Sequence, residues 1–457
     1  MQALVDGIVL GYFVLLCLAY LALLAAALRS LARLRAERRL QGERRSPWPI
    51  TLMVPAHNEA ATVVESVRAL LRLDYPQFEV VVVNDGSRDA TLARLHESFG
   101  LVPDLSDAPG VLPCRPVRSR WRSSVEPRLR VLDKHNGGKA DALNCAINAS
   151  RSPLICAIDA DTLILPDALH RLARPFHAHP ELLAVGGTIG LANGARVRRG
   201  VVLELGAPRG WLARFQVVEY LRAFLIGRLG WNLLGGNVII SGAFGLFRRS
   251  AVVAAGGYAR DTVGEDMELV ARLRRFAPPW QQAGAVVHLP DPVAFTEAPE
   301  SWRILGNQRD RWQRGLADTL WRCRDMIGRP RFGALGLVVL PFFVLFELGG
   351  PVVELFGYGY FGWLAGTGRL HAGFAALFLA ASVGFGFALS IVALVLERHL
   401  LGFFRQPHDM GRLALAALAE NVGYRQVVLY FRLRGLWNYV RGNKAWGGMV
   451  RAGFRPA

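Results

Sequence analysis

The chain has 457 residues, 52% of them hydrophobic, 20% charged and 10% aromatic, with a mean hydropathy of +0.26; disorder, collagen and a disulfide miniprotein are excluded. It is too long and too apolar for one ordinary soluble domain. Fifty-four Lys and Arg against 36 Asp and Glu leave a net charge of +18, and Arg29, Arg33, Arg35, Arg38 and Arg39 crowd beside an apolar run. That pattern points to an anionic membrane surface or phosphate-bearing substrates rather than nucleic acid.

From Leu4 to Leu28 the one charged residue is Asp6, and a helix of this length spans roughly 37 Å, enough for a hydrocarbon core of about 30 Å. The positive charge follows the apolar run, whereas a secretory signal carries it before, so a transmembrane helix is expected. Arg29 to Arg45 would face the cytoplasm, which places the N-terminus outside and residues 30–330 inside. Two more apolar segments, Leu335 to Tyr358 and Ala372 to Leu396, form an expected out-and-back hairpin. Leu413 to Phe431 carries Glu420, Asn421 and Arg425 and reads as interfacial. Arg209 to Trp231 mixes Arg with Phe, Leu and Tyr, fitting either an interfacial helix or packing against a sheet. The cysteines, Cys17, Cys114, Cys145, Cys156 and Cys323, form no C-x-x-C pair, so neither a disulfide framework nor a zinc site is expected, and a reducing setting is the default.

Between these flanks, strand-like runs begin at Ile50, Phe78, Arg128, Pro153 and Leu182 and alternate with helical patterns, which implies a doubly wound α/β sheet. Val80 to Val83 and Leu154 to Ile158 lack polar alternation, as strands covered on both faces do. Leu101 to Pro127 shows no clear period and reads as a long loop. Ligands in such sheets sit past the carboxyl ends of the strands, where this chain carries Asn58 and Glu59, Asn84 and Asp85, and Asp159 and Asp161.

The IDADT segment places Asp159 and Asp161 two apart after an apolar strand. Both can approach one hard cation, Mg²⁺ or Mn²⁺, on a diphosphate; a helix cap is the structural alternative. VVNDGSRD puts Asp85 at a strand end with Gly86 turning the chain, suited to a nucleobase or ribose edge or simply to an Asp-Gly turn. HNGGKADALN sets Lys139 at a helix start, where backbone N–H groups and a cation can hold phosphate. TVGEDMELV places Glu265 and Asp266 at another helix start, where acids also serve as dipole partners. In QRDRW, helical spacing puts Gln308, Arg311 and Trp312 on one face, a guanidinium and an indole fit to clamp a diphosphate and a sugar.

Taken in order, VPAHNE, VVNDGS, NGGKADALN, DAD, GED and QRDRW resemble the membrane-embedded family 2 glycosyltransferases, the group of the poly-N-acetylglucosamine, hyaluronan and cellulose synthases. The resemblance runs from about Pro49 to Gly315. It implies a GT-A-type doubly wound catalytic domain with N- and C-terminal transmembrane helices. The divisions expected are a transmembrane helix over 1–29, a basic juxtamembrane linker over 30–48, a cytoplasmic catalytic domain over 49–330, two transmembrane helices over 331–400, and an interfacial helix with a basic cytoplasmic tail over 401–457.

Residue by residue, the resemblance assigns Pro55, His57, Glu59 and Asp85 to the nucleotide and Lys139 to the donor side. Asp159 and Asp161 would bind the diphosphate and its Mg²⁺ or Mn²⁺. Asp266 would be the catalytic base. Gln308, Arg311 and Trp312 would hold the diphosphate and the acceptor, with Arg309 adding a phosphate contact. The implied reaction is an inverting transfer of a hexosyl or N-acetylhexosaminyl unit from a UDP-sugar donor to a growing polysaccharide at the inner (cytoplasmic) membrane. Transfer of one sugar to a lipid-linked acceptor, and an inactive transport or scaffold subunit, are the alternatives. The lipid bilayer is an implied partner, a homo-oligomer or export subunits are open, and no nucleic acid is expected.

Overall fold

The computed structural model describes residues 2–41, 48–106, 110–159, 162–198, 201–277 and 285–443. Asp161 and the end of the basic C-terminal segment lie outside the described residues. Two compact units emerge, one from Arg38–Leu205 with Asn237–Glu297, the other from Met1–Glu37, Gly206–Gly236 and Ala298–Val450. The segments 206–236 and 298–330 group with the apolar helices.

The first unit is built on a mixed sheet. Its strands are β1 (Ile50–Ala56), β2 (Phe78–Asp85), β3 (Leu101–Pro103), β4 (Val117–Ser123), β5 (Leu129–Lys134), β6 (Leu154–Ile158), β7 (Leu163–Ile164), β8 (Ala184–Leu191), β11 (Phe244–Arg248) and β12 (Val286–Thr296). They lie in the order β3-β4-β5-β2-β1-β6-β11-β8-β12-β7, and a separate antiparallel pair is made by β9 (Ala195–Arg198) and β10 (Val201–Leu205). The segment from Leu101 to Pro127, expected as a loop, supplies β3 and β4, which extend one edge of the sheet antiparallel.

The four central strands β5, β2, β1 and β6 are parallel, with Val54 opposite Val82, Val82 opposite Val131, and Leu52 opposite Cys156. Their side chains are almost wholly buried because helices cover both faces. Ala142, Ala146 and Ile147 of the helix Lys139–Ala149, for example, share a core with Val81, Val83 and Ile155. The chain runs from β1 outward to β2 and β5, then returns to place β6 on the other side of β1. That reversal leaves a crevice past the carboxyl ends of β1 and β6, the usual ligand position of an open α/β sheet. The antiparallel β11 begins beside the end of β6, Phe244 opposite Ile158, and so brings the preceding Gly242 and Ala243 to the same end.

In the second unit, the N-terminal helix Gln2–Gln41 continues through the basic run expected to be a linker. The segment Gln2–Glu37 and the helix Ala372–Leu400 are long and apolar enough to cross a membrane. Leu335–Leu348 and Gly350–Gly366 would be a third span if taken together, but they bend by 43° at Gly349, with Pro351 just beyond. Large apolar side chains such as Leu4, Leu15, Leu337, Leu355 and Val395 are exposed on these helices, an arrangement suited to lipid and costly in water. The expected interfacial stretch from Leu413 to Phe431 is two helices, Pro407–Ala419 and Tyr424–Val440, separated at Gly423 with φ +91°. Arg209 to Trp231 forms the helix Trp211–Arg222 and the short helical segments Ala223–Arg228 and Leu229–Leu233 that continue it, all within this unit.

Candidate active site

The carboxyl ends of β2 and β5 are joined by a buried ion cluster. Lys134, the last residue of β5, has no solvent exposure; its ammonium donates to Asp85 and, at 2.7 Å, to Asp141. Arg260 approaches the other oxygen of Asp141 at 3.0 Å. Burial works against the Lys134 charge, yet the two carboxylates outweigh it and raise the group above the usual lysine range. Asp85 also accepts from the backbone N–H groups of Gly137 at 3.0 Å and Gly138 at 2.7 Å.

Both carboxylate oxygens of Asp85 therefore accept from protein donors. Its place in the site is to shape the turn, which Gly86 makes at φ +64°, and to hold the loop leading to Lys139. His57 faces the same turn: Nδ1–H donates to the Asp85 carbonyl at 2.8 Å, and Asn58 Nδ2 lies 3.2 Å from Nε2. Asn58 bridges the two loops by accepting from the Arg88 N–H at 2.8 Å while its own N–H donates to Ser87 Oγ at 3.0 Å. The Glu59 N–H donates to Thr91 Oγ1 at 2.9 Å, and Pro55 sits half-buried within β1.

Three carboxylates converge on Lys139 at the start of its helix. Its ammonium is 2.6 Å from Asp159 at the end of β6 and 3.5 Å from Glu265, and it donates to the Gly242 carbonyl at 3.4 Å. Burial pushes this ammonium toward neutrality, but Asp159, Glu265 and Asp266 more than compensate and hold it protonated above its ordinary range. Asp266 differs from its neighbours: it makes no ion pair among the described residues. Backbone groups hold it instead, with the Gly242 N–H donating to Oδ2 at 3.1 Å and the Met267 N–H to Oδ1 at 2.8 Å. A Cβ on Gly242 would lie 3.1 Å from Asp266 Oδ2 and 3.4 Å from Lys139 Nζ, so a side chain there would intrude on both.

The structure thus brings Asp85, Lys139, Asp159 and Asp266 to one end of the sheet. Sequence reasoning missed Lys134 and Gly242. A lysine closing an apolar strand was the available signal for the first; nothing local marks the second.

The QRDRW segment belongs to the other unit, on the helix Trp302–Arg322, which Ser301 caps by accepting from the Ile304 N–H. Trp312 is exposed and Gln308 and Arg311 are half-buried, as expected of a shared face. The Gln308 side-chain oxygen is buried and has no hydrogen-bond partner among the described residues. Arg309 is buried, 2.9 Å from Glu219, and its guanidinium lies 4.4 Å from the centre of the Trp312 ring.

A family model described as glycosyl transferase family group 2 matches residues 154–396, more than half of the chain, and one described as glycosyl transferase family 2 matches residues 51–104. The chain belongs to the glycosyl transferase family group 2. Among proteins similar to this family 2 member is the poly-beta-1,6-N-acetyl-D-glucosamine synthase of Staphylococcus epidermidis, 27% identical over 295 residues, which cover 64% of this chain and 60% of that one. The synthase of the same name from Staphylococcus aureus (strain COL) is 27% identical over 275 residues, 60% of this chain and 56% of that one. The match therefore spans less than two thirds of these relatives' length. Among solved structures, the mannosyltransferase PcManGT from Pyrobaculum calidifontis, in complex with GDP-Man and Mn²⁺, is 19% identical and aligns over 94% of this chain and 99% of that one with a TM-score of 0.50. The sheet of this family 2 member is accordingly GT-A-like.

Proposed function

We propose that this chain is an inverting glycosyltransferase that moves a sugar from a UDP-sugar to a growing polysaccharide at the cytoplasmic face of the membrane. The observation that carries the reading is the state of Asp266. Of the three carboxylates around Lys139, it alone lacks an ion pair among the described residues; each of its oxygens accepts one backbone N–H and has a second lone pair for another partner. An acceptor hydroxyl must lose its proton as it attacks the anomeric carbon, and a carboxylate on the side away from the leaving group can take it. One displacement inverts that centre, and no second nucleophile is needed.

The donor side follows from the same end of the sheet. Lys139 and the N–H groups at its helix start offer positive charge to a leaving diphosphate. His57, Asn58 and Glu59 line the neighbouring loop, and Asp85 with Lys134 keeps that loop in place. To Gln308, Arg311 and Trp312, the QRDRW members that are not fully buried, we assign the holding of the diphosphate and the acceptor end.

The donor set also fits a divalent cation. Asp159 presents hard carboxylate oxygens at a strand end, and its partner at 2.6 Å is an ammonium, itself a cation. Asp159 and Asp161 would hold Mg²⁺ or Mn²⁺, which supplies charge neutralisation for the leaving diphosphate.

The names of the curated relatives make UDP-N-acetylglucosamine the first donor to test. Purified protein in lipid nanodiscs, incubated with a panel of UDP-sugars, should release UDP with one of them and build a product that lengthens with time. A product carrying one added sugar on lipid would replace polymer synthesis by single transfer, and absence of UDP release with every donor would refute the reading. Labelling of single cysteines near Arg369 from outside, and near Gln308 only after permeabilisation, tests the orientation.

A further inference from the structure

The QRDRW helix lies against the C-terminal helix Tyr424–Val440, and two glycines set how closely. A Cβ on Gly306 would come 2.8 Å from the Phe431 ring. A Cβ on Gly435 would come 2.7 Å from the Asp310 carbonyl oxygen and 2.9 Å from Gln313 Cβ. The two helices meet with no space between them at both points, so neither can slide or turn without a clash.

Polar contacts secure the same register. Asp310 is 5% exposed, and its carboxylate accepts from Arg314 Nε at 2.7 Å, Arg434 Nε at 3.2 Å and Asn438 Nδ2 at 2.6 Å. One buried acid is thus shared between its own helix and the C-terminal one. Arg432 Nε donates to Gln313 Oε1 at 3.0 Å. Glu219 accepts from both Arg309 at 2.9 Å and the Tyr424 hydroxyl at 2.7 Å. Arg309, Asp310, Gln313 and Arg314 are all buried by these contacts, while Trp312 stays exposed and Gln308 and Arg311 half-exposed.

We propose that the helix Tyr424–Val440 is a positioning element for the QRDRW motif, and that Asp310 is the positioning residue through which it acts. A slip of one residue moves a helical side chain about 1.5 Å along the axis and turns it by roughly 100°. Misplacement on that scale can cost about 100-fold in a reaction that depends on orientation. The C-terminal helix is then required for nucleoside diphosphate binding although it carries none of the assigned ligand groups. This inference rests on reading QRDRW as a ligand-holding segment.

The test measures UDP affinity and thermal melting of the full chain in lipid nanodiscs. The variants are Arg434→Gln, Asn438→Ala, Asp310→Asn, Asp310→Glu and the reference Trp312→Ala. Arg434→Gln and Asn438→Ala should each weaken UDP binding about tenfold with little change in melting. Asp310→Asn should weaken it at least as much, Asp310→Glu should restore most of it, and Arg434→Gln combined with Asp310→Asn should be no worse than Asp310→Asn alone. If Asp310→Asn does not fold, the two substitutions on the C-terminal helix carry the test. Unchanged UDP affinity in both of those, beside weakened binding in Trp312→Ala, overturns the positioning role and leaves the motif reading intact. Unchanged affinity in Trp312→Ala overturns the motif reading and the inference with it.

Discussion

Replacing Asp266 with Asn removes the ability to accept a proton with almost no change of shape. Two backbone donors reach this side chain, Gly242 N–H at 3.1 Å and Met267 N–H at 2.8 Å. The amide keeps one oxygen for the first of them, and because Asp266 is only half-buried, water can serve the second. The stability cost should be about 1 kcal/mol or less. Loss of general-base catalysis lowers turnover by roughly 10²- to 10⁴-fold, about 2.7 to 5.5 kcal/mol on the barrier. The two effects are far enough apart to be told from each other. Glu265→Gln removes a contact to Lys139 at 3.5 Å but leaves Asp159 at 2.6 Å to hold the lysine, so turnover should fall less than about tenfold. UDP release, UDP-sugar affinity and thermal melting, measured side by side, decide the matter. Near-normal turnover in Asp266→Asn would refute the base assignment, and lost donor affinity would make Asp266 a donor ligand instead.

Lys134→Met leaves Asp85 and Asp141 buried without the ammonium they share, so unfolding should become easier by about 3 to 5 kcal/mol, with a lower melting temperature and weaker UDP binding; an unchanged melting temperature would show that the cluster is dispensable. EDTA should abolish UDP release, added Mg²⁺ or Mn²⁺ should restore it, and Asp161→Ala should mimic the chelator; full activity in EDTA removes the cation from the mechanism. The Cys114 thiol is lowered from the ordinary thiol range, chiefly by hydrogen bonding with Cys145. A lowered value means thiolate appears at lower pH, so its alkylation by iodoacetamide should set in at lower pH than that of an ordinary thiol, and Cys145→Ala should move the inflection upward; an inflection that does not move contradicts the contact.

The central strands were legible because burial on both faces leaves a run such as Val80 to Val83 with no polar residue to disguise it. The edge of the sheet was not. β3 has three residues, too few to show a period, and β4 reads Val-Arg-Ser-Arg-Trp-Arg-Ser, whose side chains are mostly part-exposed and therefore polar. An edge strand is recognised by its partner, and β4 finds its partner in β5 through backbone bonds that carry no side-chain signature. The bend at Gly349 and the break at Gly423 were hidden for a related reason. Hydropathy sums over a window and does not register where a helix changes direction.

The site was legible to the extent that its chemistry is local. A strand that ends in Asp159, and helices that begin with Lys139 and with Glu265 and Asp266, announce themselves by position, since strand ends and helix starts are where ligands meet the backbone. Which of these acids stays unpaired is a tertiary fact. Asp85 and Asp266 look alike in sequence, each beside a turn or a helix start, yet Lys134 neutralises one while, among the described residues, backbone N–H groups hold the other. The difference arises because β5 delivers Lys134 to the end of β2, whereas the loop before β11 delivers Gly242, a residue with no side chain, to Asp266. The burial of Arg309 is tertiary in the same way: periodicity gives the two faces of the QRDRW helix, but Glu219 and Tyr424, some 90 and 115 residues away in sequence, decide which face is buried. A charge becomes available for catalysis where the fold withholds its counter-ion, and that is decided by the partners the fold delivers to each residue.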